Sequence, residues 1–159
     1  MQNLININLS EIDKIMKKKI YIVANWKMNL NISNSSKLLT QVQKSIKKNN
    51  NNVEIIICPQ FLLMSKISKF FTLKTKLKMG AQDIHHSYSG AFTGDTSIEL
   101  VKSLGCKYSI IGHSERRQYH HETNMIIKKK IELLEQFKII PILCVGETDE
   151  ERKKKNILI

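Results

Sequence analysis

The chain has 159 residues and a formal net charge of +12, long enough for one ordinary hydrophobic core and short of the length expected of two domains. No run of about 18 or more apolar residues and no basic, apolar, small-residue leader pattern occurs, which argues against a membrane-spanning helix or a secretory signal and predicts a cytoplasmic chain. Cys58, Cys106 and Cys144 are odd in number, widely spaced and set in apolar stretches, a usage that suits buried reduced thiols better than disulfides or a zinc site.

The positive charge invites a nucleic-acid reading, because Lys and Arg that neutralise phosphates supply most non-specific affinity. Yet the excess is almost all Lys, with Arg only at 116, 117 and 152, and it travels with heavy use of Ile and Asn, including the tract 49–52. Those residues share A- and T-rich codons, so nucleotide bias accounts for them, and no aromatic-interleaved basic stripe accompanies them. Neither a nucleic-acid nor a membrane partner is expected.

In chain order, residues 1–15 are polar and weakly patterned, and Met16 opens a fresh start into an apolar run. We expect 1–15 to be a non-native extension and 16–159 to be the domain. Ile20 to Ala24 predicts a strand. Ser36 to Lys47 predicts a helix, with Leu38, Leu39, Val42 and Ile46 on one face after a capping cluster of Asn and Ser. A second strand is predicted over Val53 to Cys58, stopped by Pro59, followed by a helix with Leu63, Ile67, Phe70 and Phe71 on one face. Leu77 to Ala81 predicts a third strand. Residues Gln82 to Asp95 form a long polar loop, and such loops inside compact domains tend to carry function. Thr96-Ser97-Ile98-Glu99 fits a capping box opening a helix that Gly105 closes. Lys107 to Gly112 is the fourth strand, Asn124 to Phe137 the next helix, and Ile139 to Val145 the fifth strand.

Continuously apolar strands separated by single helices indicate a parallel sheet covered on its faces, hence an α/β fold. Right-handed crossovers put every strand's C-terminal end on one rim. Asn25 to Lys27, Gln82 onward, His113 to Glu115 and Cys144 to Glu147 are therefore expected to converge there, where a barrel enzyme builds its site.

Five stretches carry a family resemblance: Ala24-Asn25-Trp26-Lys27-Met28-Asn29, Gly80-Ala81-Gln82-Asp83, Gly90-Ala91-Phe92-Thr93-Gly94-Asp95, Ile111-Gly112-His113-Ser114-Glu115-Arg116-Arg117, and Cys144-Val145-Gly146-Glu147-Thr148. In this order and spacing, over about 16–152, the chain resembles the triosephosphate isomerase family. The resemblance implies a (β/α)8 TIM barrel, of which this chain carries roughly the first five β/α units. It also implies interconversion of dihydroxyacetone phosphate and D-glyceraldehyde 3-phosphate through an enediolate, with no cofactor and no metal.

The resemblance further implies roles for single residues. That a glutamate base, a neutral histidine and a closing loop share the work is known for that family and is not read from these residues. His113 resembles the electrophile that donates to the developing oxyanion, and a helix start just after it favours a neutral ring. Lys27 resembles the fixed cation for a dianionic substrate, with Asn25 the neutral donor beside it. Glu115 resembles the carboxylate near that lysine, to which we assign orientation because a buried Lys needs a partner. Gln82 and Thr93 resemble the loop that a second subunit receives in the family's homodimer. Arg116, Arg117 and Glu122 match positions of structural ion pairs, and Cys144 a packing cysteine near the site. A full barrel needs about 250 residues. By resemblance the glutamate base, the lid and the glycine-rich phosphate cradle fall in the missing second half, so we expect a truncated or frame-disrupted product, or a fragment, with no activity of its own.

Overall fold

The computed structural model describes residues 19–46, 52–72, 75–147, 152 and 153. The expectations for 1–15, a start at Met16, most of the Asn tract, Thr148, Lys154 and Lys155 lie outside them.

Five strands form one parallel sheet in sequence order, β1 (Ile20–Asn25), β2 (Val53–Cys58), β3 (Leu77–Ala81), β4 (Tyr108–Ile111) and β5 (Ile140–Leu143). The helices are α1 (Ile32–Ser45), α2 (Phe61–Ile67) with a 3-10 turn Ser68–Phe70, α3 (Ile98–Ser103), α4 (Ser114–Tyr119) and α5 (Asn124–Gln136). The sheet curls as a half-barrel with the helices outside, an arrangement consistent with part of a (β/α)8 barrel.

The period-2 alternation of side chains sorts the sheet's two faces. Ile57, Leu77, Met79, Ala81 and Ile111 point to the helices and are buried against Leu39, Leu63, Ile67, Val101, Ile127 and Leu134. Each such side chain contributes about 1.5–3 kcal/mol on full burial. The residues between them face the concave side, where Ile56, Cys58, Tyr108 and Ile110 cluster with Ile142 and Cys144. At the N-terminal ends of the strands this face carries a polar layer: the Tyr108 hydroxyl donates to Glu54, which also takes Lys19. The edge strands are the exposed ones, with Tyr21 and Ile22 on β1 and Ile140 and Leu143 on β5.

Strands two and three run as predicted. β4 and β5 are shorter than expected, and three other elements differ for local reasons. Helix α1 starts four residues early, because the Asn31 side chain accepts from the Asn34 N–H at 2.9 Å and draws the Ser-rich cluster into the first turn. Helix α3 is capped by Ser97, whose Oγ takes the Leu100 N–H at 3.3 Å. No reciprocal bond from Glu99 follows, because Glu99 accepts from the Tyr88 hydroxyl at 3.0 Å. The turn Ser114–Tyr119 is a short helix of its own, separated from α5 by His121 at φ 54. Gly105 closes α3 as expected, at φ 83 with its N–H on Lys102 O.

Candidate active site

The rim at the strand C-terminal ends gathers Asn25 and Lys27 after β1, Gln82 after β3, His113 and Glu115 after β4, and Cys144 after β5. Gly112 makes the β4 exit possible. It sits at φ 68, and a Cβ there would lie 2.9 Å from Ile127 Cδ1 and 3.2 Å from an Arg117 nitrogen. The backbone conformation disfavours a side chain there, and one would also push aside the ends of Ile127 and Arg117. Arg117 Nε donates to the Gly112 carbonyl at 3.0 Å, and its Nη1 donates to Asn124 Oδ1 at 2.7 Å. The ion pairing expected of Arg117 is therefore replaced by hydrogen bonds to neutral partners.

His113 then occupies the N-cap of α4, and its Nδ1 accepts the Glu115 N–H at 3.2 Å. A ring nitrogen that accepts a backbone N–H has its lone pair free, so in the neutral imidazole the proton resides on Nε2. This is the tautomer that donates. The Glu115 carboxylate stands 3.5 Å from the same Nδ1, beyond normal hydrogen-bond length, and instead takes Lys27 Nζ at 2.7 Å. The Lys27 hydrogen bond holds the Glu115 carboxyl below its ordinary range, against a smaller opposing effect of burial.

Lys27 is the outlier of the β1 exit, at φ 49. A residue with a Cβ takes that conformation only where its surroundings hold it. Asn25 Oδ1 accepts the Lys27 N–H at 2.9 Å, which leaves the Asn25 amide NH2 as a neutral donor beside the ammonium. The expectation of a buried Lys27 is overturned: its side chain is 51% exposed and that of Glu115 45%. Both side chains of the pair are about half exposed, so water screens it. Glu115 therefore does not neutralise a buried charge.

Arg116, beside Glu115 on α4, enters a different environment. Lys130 Nζ, 3% exposed, donates to Asp83 at 2.7 and 2.8 Å and also to Glu122. Arg116 Nε reaches Glu122 at 2.6 Å and Asp83 at 2.9 Å. Burial pushes the Glu122 carboxyl up, but the Lys130 and Arg116 hydrogen bonds outweigh it and hold it below its ordinary range. Reading the sequence named Arg116 and Glu122 for this cluster and missed Asp83 and Lys130. Lys130 was hidden in a lysine run that reads as a solvated face, although its spacing of three from Ile127, and of four from Leu134, put it on the buried stripe of α5.

The loop after β3 folds on itself. The His85 N–H bonds Thr96 O at 2.9 Å across its base, and the Phe92 ring lies 3.9 Å from the His85 ring, centroid to centroid. Gly90 permits this packing, since a Cβ there would come within 2.6 Å of the Phe92 ring. Thr93 and Gly94 form the exposed tip, closed by the Asp95 N–H on Phe92 O at 3.1 Å, with Gly94 at φ 88. Gln82 turns inward, donating to Lys27 O and Cys58 O, both at 2.9 Å.

An open groove of about 930 Å3 lies between the β4 and β5 exits, lined in part by Gly112, His113, Cys144 and Glu147. Burial raises the Cys144 thiol against the smaller opposing pull of Arg117, and burial pushes Cys58 and Cys106 up to about 12, as packing thiols require. Among the described residues no helix is long and apolar enough to cross a membrane, and no group of three or more His, Cys, Asp or Glu is placed to hold a metal ion.

His113, the Lys27 ammonium on the Glu115 carboxylate, and the Asn25 amide all stand at one rim of a parallel half-barrel. The family model described as triosephosphate isomerase matches residues 20–158. The chain belongs to the triosephosphate isomerase family. It is 41% identical over 138 residues to the triosephosphate isomerase of Alkaliphilus metalliredigens, covering 87% of this chain and 54% of that protein. It is 41% identical over 136 residues to that of Clostridium novyi, covering 86% and 53%, and 44% identical over 138 residues to that of Buchnera aphidicola subsp. Schizaphis graminum, covering 87% and 54%. The chain thus spans about half the length of the curated relatives it matches.

Proposed function

We propose that the protein to which this sequence belongs interconverts dihydroxyacetone phosphate and D-glyceraldehyde 3-phosphate. The reaction removes a proton next to a carbonyl and stabilises the enediolate that forms. The observation that carries the reading is the Glu115 N–H donated to His113 Nδ1 at 3.2 Å, which leaves Nε2 to carry the proton of a neutral ring and to donate to an oxyanion. Lys27 supplies the cation for a doubly charged phosphate ester, Glu115 directs it at 2.7 Å, and Asn25 offers a second, uncharged donor.

The 159 residues by themselves are proposed to lack turnover. Five strands leave β1 and β5 as exposed edges, and the matched stretch covers only 54% and 53% of two of the curated relatives. The test is an isomerase assay of the purified chain, alone and mixed with a separately produced C-terminal half of a relative. Turnover by the chain alone that disappears in His113→Ala would overturn the inactivity. Failure of the mixture, once shown to associate, would count against the isomerase reading itself. We further propose that the protein works in the cytoplasm as a homodimer, with the exposed tip at Thr93 received by a second subunit. Sedimentation of the associated form and of its Thr93→Arg variant tests the dimer, the variant being expected to sediment as half the mass.

A further inference from the structure

Four non-glycine residues among those described have a positive φ, and two of them, Lys27 at φ 49 and Leu30 at φ 73, fall in the single turn that leads from β1 to α1. Neither residue is Asn, Asp or Gly. The turn holds itself in part, with Trp26 O accepting from the Asn29 N–H at 3.1 Å and from its side-chain amide at 2.9 Å, and two further bonds reach it from other strand ends. Gln82, after β3, donates from its side-chain amide to Lys27 O at 2.9 Å, which orients the peptide following Lys27. Gln60, after β2, donates to Asn29 O at 3.0 Å, which orients the peptide preceding Leu30. Gln60 is also the N-cap residue of α2, yet its side chain makes no capping bond. Its amide is committed across the rim instead. With Asn25 Oδ1 taking the Lys27 N–H at 2.9 Å, the peptides on both sides of Lys27 are held, and Nζ is aimed at Glu115.

We propose that Gln60 and Gln82 are a paired amide brace, positioning residues that reach from two neighbouring strand ends to keep the Lys27 turn inverted and its ammonium directed at Glu115. Neither touches the substrate in this scheme. The proposal rests on the reading of Lys27 as the substrate's cation. It goes beyond the interface role that the family resemblance implies for Gln82, and it assigns Gln60 a task where the resemblance implies none. Met is the informative replacement at both positions, because it keeps length and removes the donors.

The experiment follows the Glu115 carboxyl by carbon NMR through a pH titration in the full chain, for wild type, Gln60→Met, Gln82→Met, the double variant and Lys27→Met, with circular dichroism as the check on folding. The groups facing Glu115 are Lys27 and His113. Lys27→Met is expected to raise the Glu115 midpoint. Gln82→Met should reproduce at least half of that rise, Gln60→Met a smaller part, and the double variant nearly all of it, each in a folded chain. A folded Gln82→Met chain with the wild-type midpoint overturns the brace. If that variant does not fold, Gln60→Met decides the matter, and an unmoved midpoint there overturns the brace equally. Should Lys27→Met itself leave Glu115 unmoved, the Lys27–Glu115 pair fails and the brace falls with it. A rise in Lys27→Met without one in the glutamine variants sinks the brace alone.

Discussion

Glu115 and Arg116 are consecutive residues of the same short helix, each paired with an opposite charge, and the two pairs do different work. The Arg116 cluster with Asp83, Glu122 and Lys130 is enclosed: Lys130 is 3% and Glu122 4% exposed. The Glu115–Lys27 pair is about half exposed. In the enclosed cluster the low effective dielectric makes each charge depend on its partners, so it locks α4 and α5 to the end of β3. The open pair is screened by water and stabilises little, which leaves its ammonium free to exchange a carboxylate for an incoming anion. One helix thus carries an enclosed ion cluster at one residue and a solvent-open pair at the residue before it.

The sharpest way to break this contrast is Lys130→Met. It leaves two carboxylates facing Arg116 alone in a buried setting, and removing one partner of a buried ion network costs about 3–5 kcal/mol. Urea unfolding should show that loss, and a cost under about 1 kcal/mol would mean that water reaches the cluster. Gly112→Ala comes next. The positive φ and the 2.9 Å approach to Ile127 predict roughly 1–3 kcal/mol of destabilisation by the same measurement.

The cluster also predicts an acid dependence. The folded Glu122 carboxyl lies below its usual value of 4.5, so the unfolded chain takes up the proton first. Its contribution is therefore complete above that value and is lost as pH falls through the folded value. Asp83 shares the same cations but is pushed up by burial and opposes this. The readout is consequently the difference between wild type and Glu122→Gln, whose stability gap should narrow as pH drops below 4.5. A gap constant with pH would contradict the direction assigned to Glu122.

The contrast also marks what could be read from the amino acids alone. β2, β3 and the convergence of Lys27, His113 and Glu115 were legible because apolar runs, glycines and turn residues act locally, and because the motifs specify which residue leaves each strand. Three matters were not. The burial of Lys130 depends on which side of α5 meets the sheet, and its spacing from Ile127 and Leu134 is a signal that its neighbouring lysines mask. Gln60 looks like an ordinary helix-start residue, and its partner Asn29 is 31 residues away. The exposure of Lys27 reverses the expectation of a buried lysine, and the bonds from Gln60 and Gln82 to its turn come from residues after two other strands. Local rules find strands and helix ends, whereas bonds that cross the rim appear only once the sheet is assembled.

The smallest stability effect is expected from Lys27→Met, and that smallness is informative. Because the pair is open to water, the urea midpoint should stay where it is within measurement error, while Glu115 loses the hydrogen bond that holds it below the ordinary carboxylate range. In the complete enzyme the same change should lower turnover by roughly a hundredfold or more, the scale for removing one preorganised charge-stabilising group. The two readouts together decide between roles: loss of stability with little loss of activity would make Lys27 a structural residue and Glu115 its anchor. Lost activity at unchanged stability is what an ammonium held out for a phosphate ester requires, and it would place the boundary between scaffold and chemistry between Glu115 and Arg116.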